Sequence, residues 1–163
     1  MAISSKPVVA LFFSLCVFLP LISAMSTDIK YCSQANYAVK VTGADITPFP
    51  VKRGDNATFS ITAATDKGMV GGKLGIHVLY YGMDIYHETY NICAETSCPI
   101  STGYFVLSHT QKLPQYTPTG EFSLKMTILD EEDNELTCIT FDFVIGVGIG
   151  LIAKSKGILS NFL

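Results

Sequence analysis

Apolar and polar residues alternate with a period of two in several stretches of this chain, whereas sustained helical spacing is absent after the leader. In NATFSITAAT (56–65) Phe59, Ile61 and Ala63 share one parity. In KLGIHVLYYG (73–82) the set is Leu74, Ile76, Val78 and Tyr80, and in EFSLKMTILD (121–130) it is Phe122, Leu124, Met126 and Ile128. A run from Leu136 to Ile145 aligns Ile139, Phe141, Phe143 and Ile145. Successive side chains of a strand point to opposite faces, so each stretch predicts a strand buried on one side only. YAVKVTGADI (37–46), MDIYHETYNI (83–92) and GYFVLSHTQ (103–111) bring the total to about seven strands.

Between these stretches lie turn signals: Thr47-Pro48-Phe49-Pro50, Arg53-Gly54-Asp55, Asp66-Lys67-Gly68, Gly71-Gly72 and the acidic run Asp130-Glu131-Glu132-Asp133. Short strands at regular spacing predict an all-β chain folded as an antiparallel β-sandwich. No internal repeat or low-complexity linker marks a second domain.

The termini change which residues count toward the fold. Residues 1–24 carry one lysine, Lys6, then a mainly apolar stretch ending in Ser23 and Ala24, the pattern of a secretory signal peptide cleaved after Ala24. Its apolar part is too short for a convincing membrane span. The sandwich is expected over 25–145, and 146–163 reads as an apolar, glycine-spaced tail with Lys154 and Lys156, also too short to span a bilayer.

Removing the leader takes Cys16 with it and leaves Cys32, Cys93, Cys98 and Cys138. An even count in an oxidising compartment reads as disulfides, for which four cysteines allow three connectivities. Zinc is disfavoured, because Cys93 and Cys98 have no second close Cys or His pair to complete a four-ligand site. A redox pair would be spaced Cys-x-x-Cys. Cys93 and Cys98 are too close in sequence to avoid each other, which leaves Cys32 to pair with Cys138. In the loop-entropy model the long bridge stabilises by about 4–5 kcal/mol and the short one by about 2 kcal/mol.

Loss of Lys6 takes the formal charge from −3 to −4. No basic stripe is present, so nucleic acid is not an expected partner. His77, His87 and His109 lack metal-ligand spacing and read as surface or satisfied strand residues; His77 has the opposite parity to its apolar neighbours. There is no Gly-x-Ser-x-Gly elbow, phosphate loop or dinucleotide fingerprint, and no metal, cofactor or catalytic residue is expected. Asn56-Ala57-Thr58 is a glycosylation sequon at a strand entrance, making Asn56 a candidate surface acceptor.

The stretch CAETSCPI (93–100), then Lys112-Leu113-Pro114, the strand EFSLKMTILDEED and Leu136-Thr137-Cys138 together resemble the ML-domain lipid-recognition family. That family includes the sterol carrier lost in Niemann-Pick type C disease and plant proteins labelled phosphatidylglycerol/phosphatidylinositol transfer proteins. The plant branch is the more similar. The resemblance spans about Asp28 to Ile145. It implies an immunoglobulin-like sandwich whose sheets splay apart around one lipid, and it implies the same two disulfides. The sterol carrier has a further bridge soon after its first cysteine, for which SQANYAVKVTGADI supplies no pair.

On this resemblance the chain is expected to be a secreted or endomembrane-lumenal, non-enzymatic carrier of a sterol or phospholipid, monomeric and in transient contact with membranes. Candidate lining residues are Phe59, Ile61, Leu74, Ile76, Val78, Tyr80, Tyr104, Phe105, Leu107, Tyr116, Phe122, Leu124, Met126, Ile128, Phe141 and Phe143. Tyr104, Phe105 and Tyr116 are expected at the mouth, beside the Cys93–Cys98 staple, because amphipathic rings suit a boundary between apolar tail and wet headgroup. The alternative from another class is a secreted sandwich with a filled core that recognises a protein. Lipid that co-purifies with the protein distinguishes the two.

Overall fold

The alternation becomes two facing sheets. A computed structural model describes residues 25–146; the expected leader with Cys16, and the tail from residue 147, lie outside the described residues. In order, the elements are β1 (Met25–Ser26), β2 (Lys30–Tyr31), β3 (Val39–Thr47), β4 (Val51–Lys52), β5 (Asn56–Thr65), β6 (Lys73–Tyr80) and β7 (Met83–Asn91). There follow a single helical turn α1 (Ile92–Glu95), β8 (Gly103–Lys112), β9 (Gly120–Leu129) and β10 (Glu135–Gly146). The seven long strands lie where the periodicity predicts them. The turn α1 and the two-residue strands β1, β2 and β4 are too short to leave a periodic signal.

One sheet has the order β1-β3-β5-β8 and the other β2-β10-β9-β6-β7, with β4 also paired to β10. All pairings are antiparallel except β4 with β10, which is parallel over two residues. On β5, Ala57, Phe59, Ile61 and Ala63 face the other sheet and are buried. The opposite parity faces water, where the hydroxyls of Thr58 and Ser60 bond across the ladder to Thr110 at 2.9 Å and Ser108 at 3.2 Å. Such cross-strand hydroxyl pairs hold β5 to β8 without demanding burial.

Where the sheets touch, Ile61 and Leu107 from one meet Leu74, Ile128 and Ile139 from the other, all nearly solvent-free. Each side chain of this size contributes about 1.5–3 kcal/mol on burial. Cys32 is bonded to Cys138 across 106 residues, joining the segment after β2 to β10, and Cys93 to Cys98 across five.

A sandwich has two open sides, and they are closed differently. On one, the Tyr31 hydroxyl on β2 accepts from the Val41 N–H of β3 at 2.9 Å and donates to the Val41 carbonyl at 3.2 Å, tying sheet to sheet. On the other, the edge strands β7 and β8 share no ladder, and α1 packs between them over only part of their length.

The candidate lipid cavity

Below α1 the gap between β7 and β8 leads into a cavity of about 330 Å³, at the lower end of the ~300–1,000 Å³ usual for small-molecule sites. Phe59 from β5 forms one wall; Ile76, Val78, Phe122, Leu124, Phe143 and Ile145 from β6, β9 and β10 form the other. These elements place apolar side chains there by strand parity alone. Phe143 meets Phe59 edge-on with ring centres 5.5 Å apart and stacks near Phe122 at 5.6 Å, so three rings make a rigid apolar floor.

The segment Leu113–Pro118 forms the lip and lines the cavity through Leu113, Pro114, Tyr116, Thr117 and Pro118. Its start is fixed by backbone pairing: the Gly54 N–H donates to the Leu113 carbonyl at 2.9 Å, and the Leu113 N–H to the Asp55 carbonyl at 3.0 Å. Gly54 has a φ of +81°, a conformation that favours glycine, so the turn before β5 can reach this lip. Of the lining, Ile85 (49% exposed) and Tyr116 (88%) stand in water, and Tyr81 (81%) and Met83 (63%) are exposed at the β6–β7 turn that precedes Ile85. Lys112 lines the cavity, and Lys52 and Arg53 are exposed on the turn before Gly54. None of the three is in an ion pair among the described residues.

The β7–β8 wall is different in chemistry. Tyr86, His109 and Gln111 line the cavity there. The Tyr86 and Tyr90 hydroxyls both donate to Glu88 Oε2, the latter at 2.9 Å, and lie 3.0 Å apart. Burial first, with the contact to Glu88 adding to it, raises both phenols above their ordinary pKa, while the two hydrogen bonds hold the Glu88 carboxyl below the usual carboxylate range. The His109 ring packs 4.4 Å from that of Tyr90. His109 Nδ1 lies 3.3 Å from Glu95 Oε2 of α1, within range of charge attraction but not aligned as a hydrogen bond, so this buried nitrogen has no hydrogen-bond partner.

The candidate residues divide into groups. Phe59, Ile76, Val78, Tyr116, Phe122, Leu124 and Phe143 line the cavity. Ile61, Leu74, Leu107, Met126, Ile128 and Phe141 sit in the interlocked core deeper between the sheets. Tyr80 stacks on Phe122 with ring centres 4.7 Å apart, outside the lining. Phe105 faces inward, half-buried, near the opposite end of β8, and Tyr104 is 80% exposed on the outer face. Two features expected side by side are separated here, because Gly103 begins β8 beside the staple while Lys112 ends it at the lip. Ten residues of strand span about 30 Å. Asn56 is exposed at the start of β5.

Some lining residues carried no sequence signal, among them Ile85 and Tyr86, whereas Ile145 shares the parity of Phe141 and Phe143. His109 had one. It shares parity with the buried Leu107, so the strand pattern aims it inward.

An antiparallel sandwich with an apolar slot between its layers defines a small-ligand-binding protein of immunoglobulin-like architecture. The ML-domain family model matches residues 26–145, and the chain belongs to that family. The MD-2-related lipid-recognition protein ROSY1 of Arabidopsis thaliana is 32% identical over 113 residues, covering 64% of this chain and 68% of that protein. A phosphatidylglycerol/phosphatidylinositol transfer protein of Candida albicans is 27% identical over 108 residues, covering 63% and 56% respectively. A solved Niemann-Pick type C2 protein from the Japanese carpenter ant superposes with a TM-score of 0.57 at 15% identity, covering 73% of this chain and 99% of that one, and shares the fold.

Proposed function

We propose that this protein is a non-enzymatic carrier that holds one lipid, a sterol or a phospholipid, in the cavity between its sheets. The observation that carries the reading is the cavity of about 330 Å³ with phenylalanine walls, open to water through a lip of exposed apolar side chains. Moving a lipid tail through water exposes about 0.8 kcal/mol per methylene, so a chain of roughly sixteen carbons faces a barrier of about 13 kcal/mol. An apolar slot lowers that barrier. Membrane and slot are similarly apolar, so loading and unloading are near balance and exchange runs both ways.

Tyr81, Met83, Ile85 and Tyr116 are suited to touching a membrane while the lipid crosses, since amphipathic rings favour the interface between hydrocarbon and headgroup. Lys112, Lys52 and Arg53 favour an anionic leaflet. The two disulfides agree with a secretory lumen or the extracellular space as the place of action. Names borne by relatives point the same way: phosphatidylglycerol/phosphatidylinositol transfer and lipid recognition.

The test is an organic extract of gently purified protein analysed by mass spectrometry, together with uptake of a fluorescent sterol and a fluorescent phospholipid. One lipid per chain, or saturable uptake of either probe, is the expected result. A clean extract with no uptake removes the carrier reading and leaves the sandwich as a protein-recognition module.

A further inference from the structure

The slot is not uniformly apolar, and its polar groups are gathered on one side. We propose that the β7–β8 wall is a hydroxyl-recognition subsite within the cavity, built from Tyr86, His109 and Gln111 and biased by the Glu88 and Glu95 carboxylates. The proposal rests on the carrier reading and goes beyond it by naming the ligand group that the wall selects.

Three observations support it. His109 is 6% exposed and lines the cavity, with its Nδ1 turned toward Glu95 Oε2 at 3.3 Å. Burying an imidazole is costly, and a packed sandwich needing only volume would place an apolar residue here, as β8 does two positions earlier at Leu107. Second, the polar groups form one connected series: Tyr86 to Glu88, Glu88 to Tyr90, the Tyr90 ring on His109, and His109 beside Glu95. Third, both carboxylates carry negative charge along this side, whereas Lys112, the cation of the lining, is at the lip.

That separation of charge decides the ligand chemistry. A phosphate against Glu88 and Glu95 would meet like charge, so it belongs at the lip. A hydroxyl carries no charge and both donates and accepts, so it satisfies either tautomer of His109 and either end of the Gln111 amide. The group can come from two sources, the single hydroxyl of a sterol or the polyol headgroup of a phospholipid.

Matched pairs of lipids test this, each competing against a bound fluorescent lipid. Cholesterol is set against 5-cholestene, which lacks the hydroxyl. Phosphatidylglycerol is set against phosphatidylmethanol of the same acyl chains, which keeps the phosphate and its single charge but has no free hydroxyl. The hydroxylated member of one pair is expected to displace the probe at about tenfold lower concentration, and the pair that does so identifies the source. In His109→Phe that ratio collapses toward one; a role confined to holding α1 in place would change affinity for both members alike. Should His109→Phe not fold, Tyr86→Phe, which removes only one hydroxyl, is read for the same ratio. Equal displacement within both pairs by a wild-type protein that does take up lipid overturns the subsite alone, as does a ratio that survives the substitution. Failure to take up any lipid overturns the carrier reading beneath it.

Discussion

The two ends of this sandwich are made from the same alternating strands and behave as different materials. At the end where β8 begins, α1 and the Ile61, Leu74, Leu107, Ile128 and Ile139 cluster hold the sheets together, and both disulfides lie there, one fastening the segment after β2 to β10 within its sheet and the other closing the loop after α1. At the end where β8 finishes there is no disulfide among the described residues, three phenylalanines line a slot, and the lip carries the exposed Tyr116. A close-packed region resists change in shape. The locked end therefore supplies the stability that permits the other end to stay apart.

The largest expected effect is loss of the long bridge. Replacing Cys32 and Cys138 together with alanine releases a loop of 106 residues and should cost about 4–5 kcal/mol in chemical denaturation. The Cys93→Ala, Cys98→Ala pair should cost about 2 kcal/mol. Equal losses would mean that loop length is not what sets their contributions.

Next come truncations that contrast the halves directly. Leu74→Ala, in the locked half, should lose about 2–5 kcal/mol because it opens a void among well-packed neighbours. Val78→Ala, on the same strand face four residues along but beside the existing cavity, should lose less than about 1.5 kcal/mol, since little packing is forfeited. Similar losses at both sites would show that the open half is packed as tightly as the locked one.

Filling rather than emptying reverses the contrast. Ile61→Phe should destabilise by about 1–3 kcal/mol through overpacking, with lipid uptake reduced only as far as folding is. Val78→Phe should leave stability within about 1 kcal/mol and abolish uptake of a fluorescent lipid, because the added ring occupies the slot. If Val78→Phe still loads lipid normally, the ligand does not sit there.

These contrasts also mark where the sequence was legible. Strand parity assigned the inward faces of β5, β6, β9 and β10, since alternation is a property of the local backbone. Whether an inward residue meets a neighbour or an empty slot depends on the distance between layers, which no local pattern encodes; Ile61 and Phe59 share one face of β5 and end in different halves. Tyr104 and Phe105 were grouped as neighbours, although adjacent strand residues face opposite sides, and the structure puts Tyr104 in water. Parity applied to β8 aims His109 inward, yet the groups around it come from β7 and α1, elements joined to β8 only by the tertiary fold.

The smallest effect belongs to the boundary between the halves, where Glu88 is held by two tyrosines. Its carboxyl pKa is lower in the folded protein than in the unfolded chain, chiefly through the hydrogen bond from Tyr86 and then that from Tyr90. A group depressed in this way contributes stability above its unfolded pKa, about 4.3 for glutamate, and loses it as pH falls through the lower folded value. Glu88→Gln should therefore melt below wild type at pH 7, and the gap should narrow as pH falls from about 5 to about 3. Asp84 is depressed as well, first through its hydrogen bond with His77 on the outer face, and serves as a control. Asp84→Asn should follow the same acid profile without altering lipid uptake, whereas Glu88→Gln, which loosens the Tyr86 and Tyr90 hydroxyls, should alter it. Identical uptake in the two variants would place the tyrosine pair outside the ligand's reach and confine lipid contact to the phenylalanine walls.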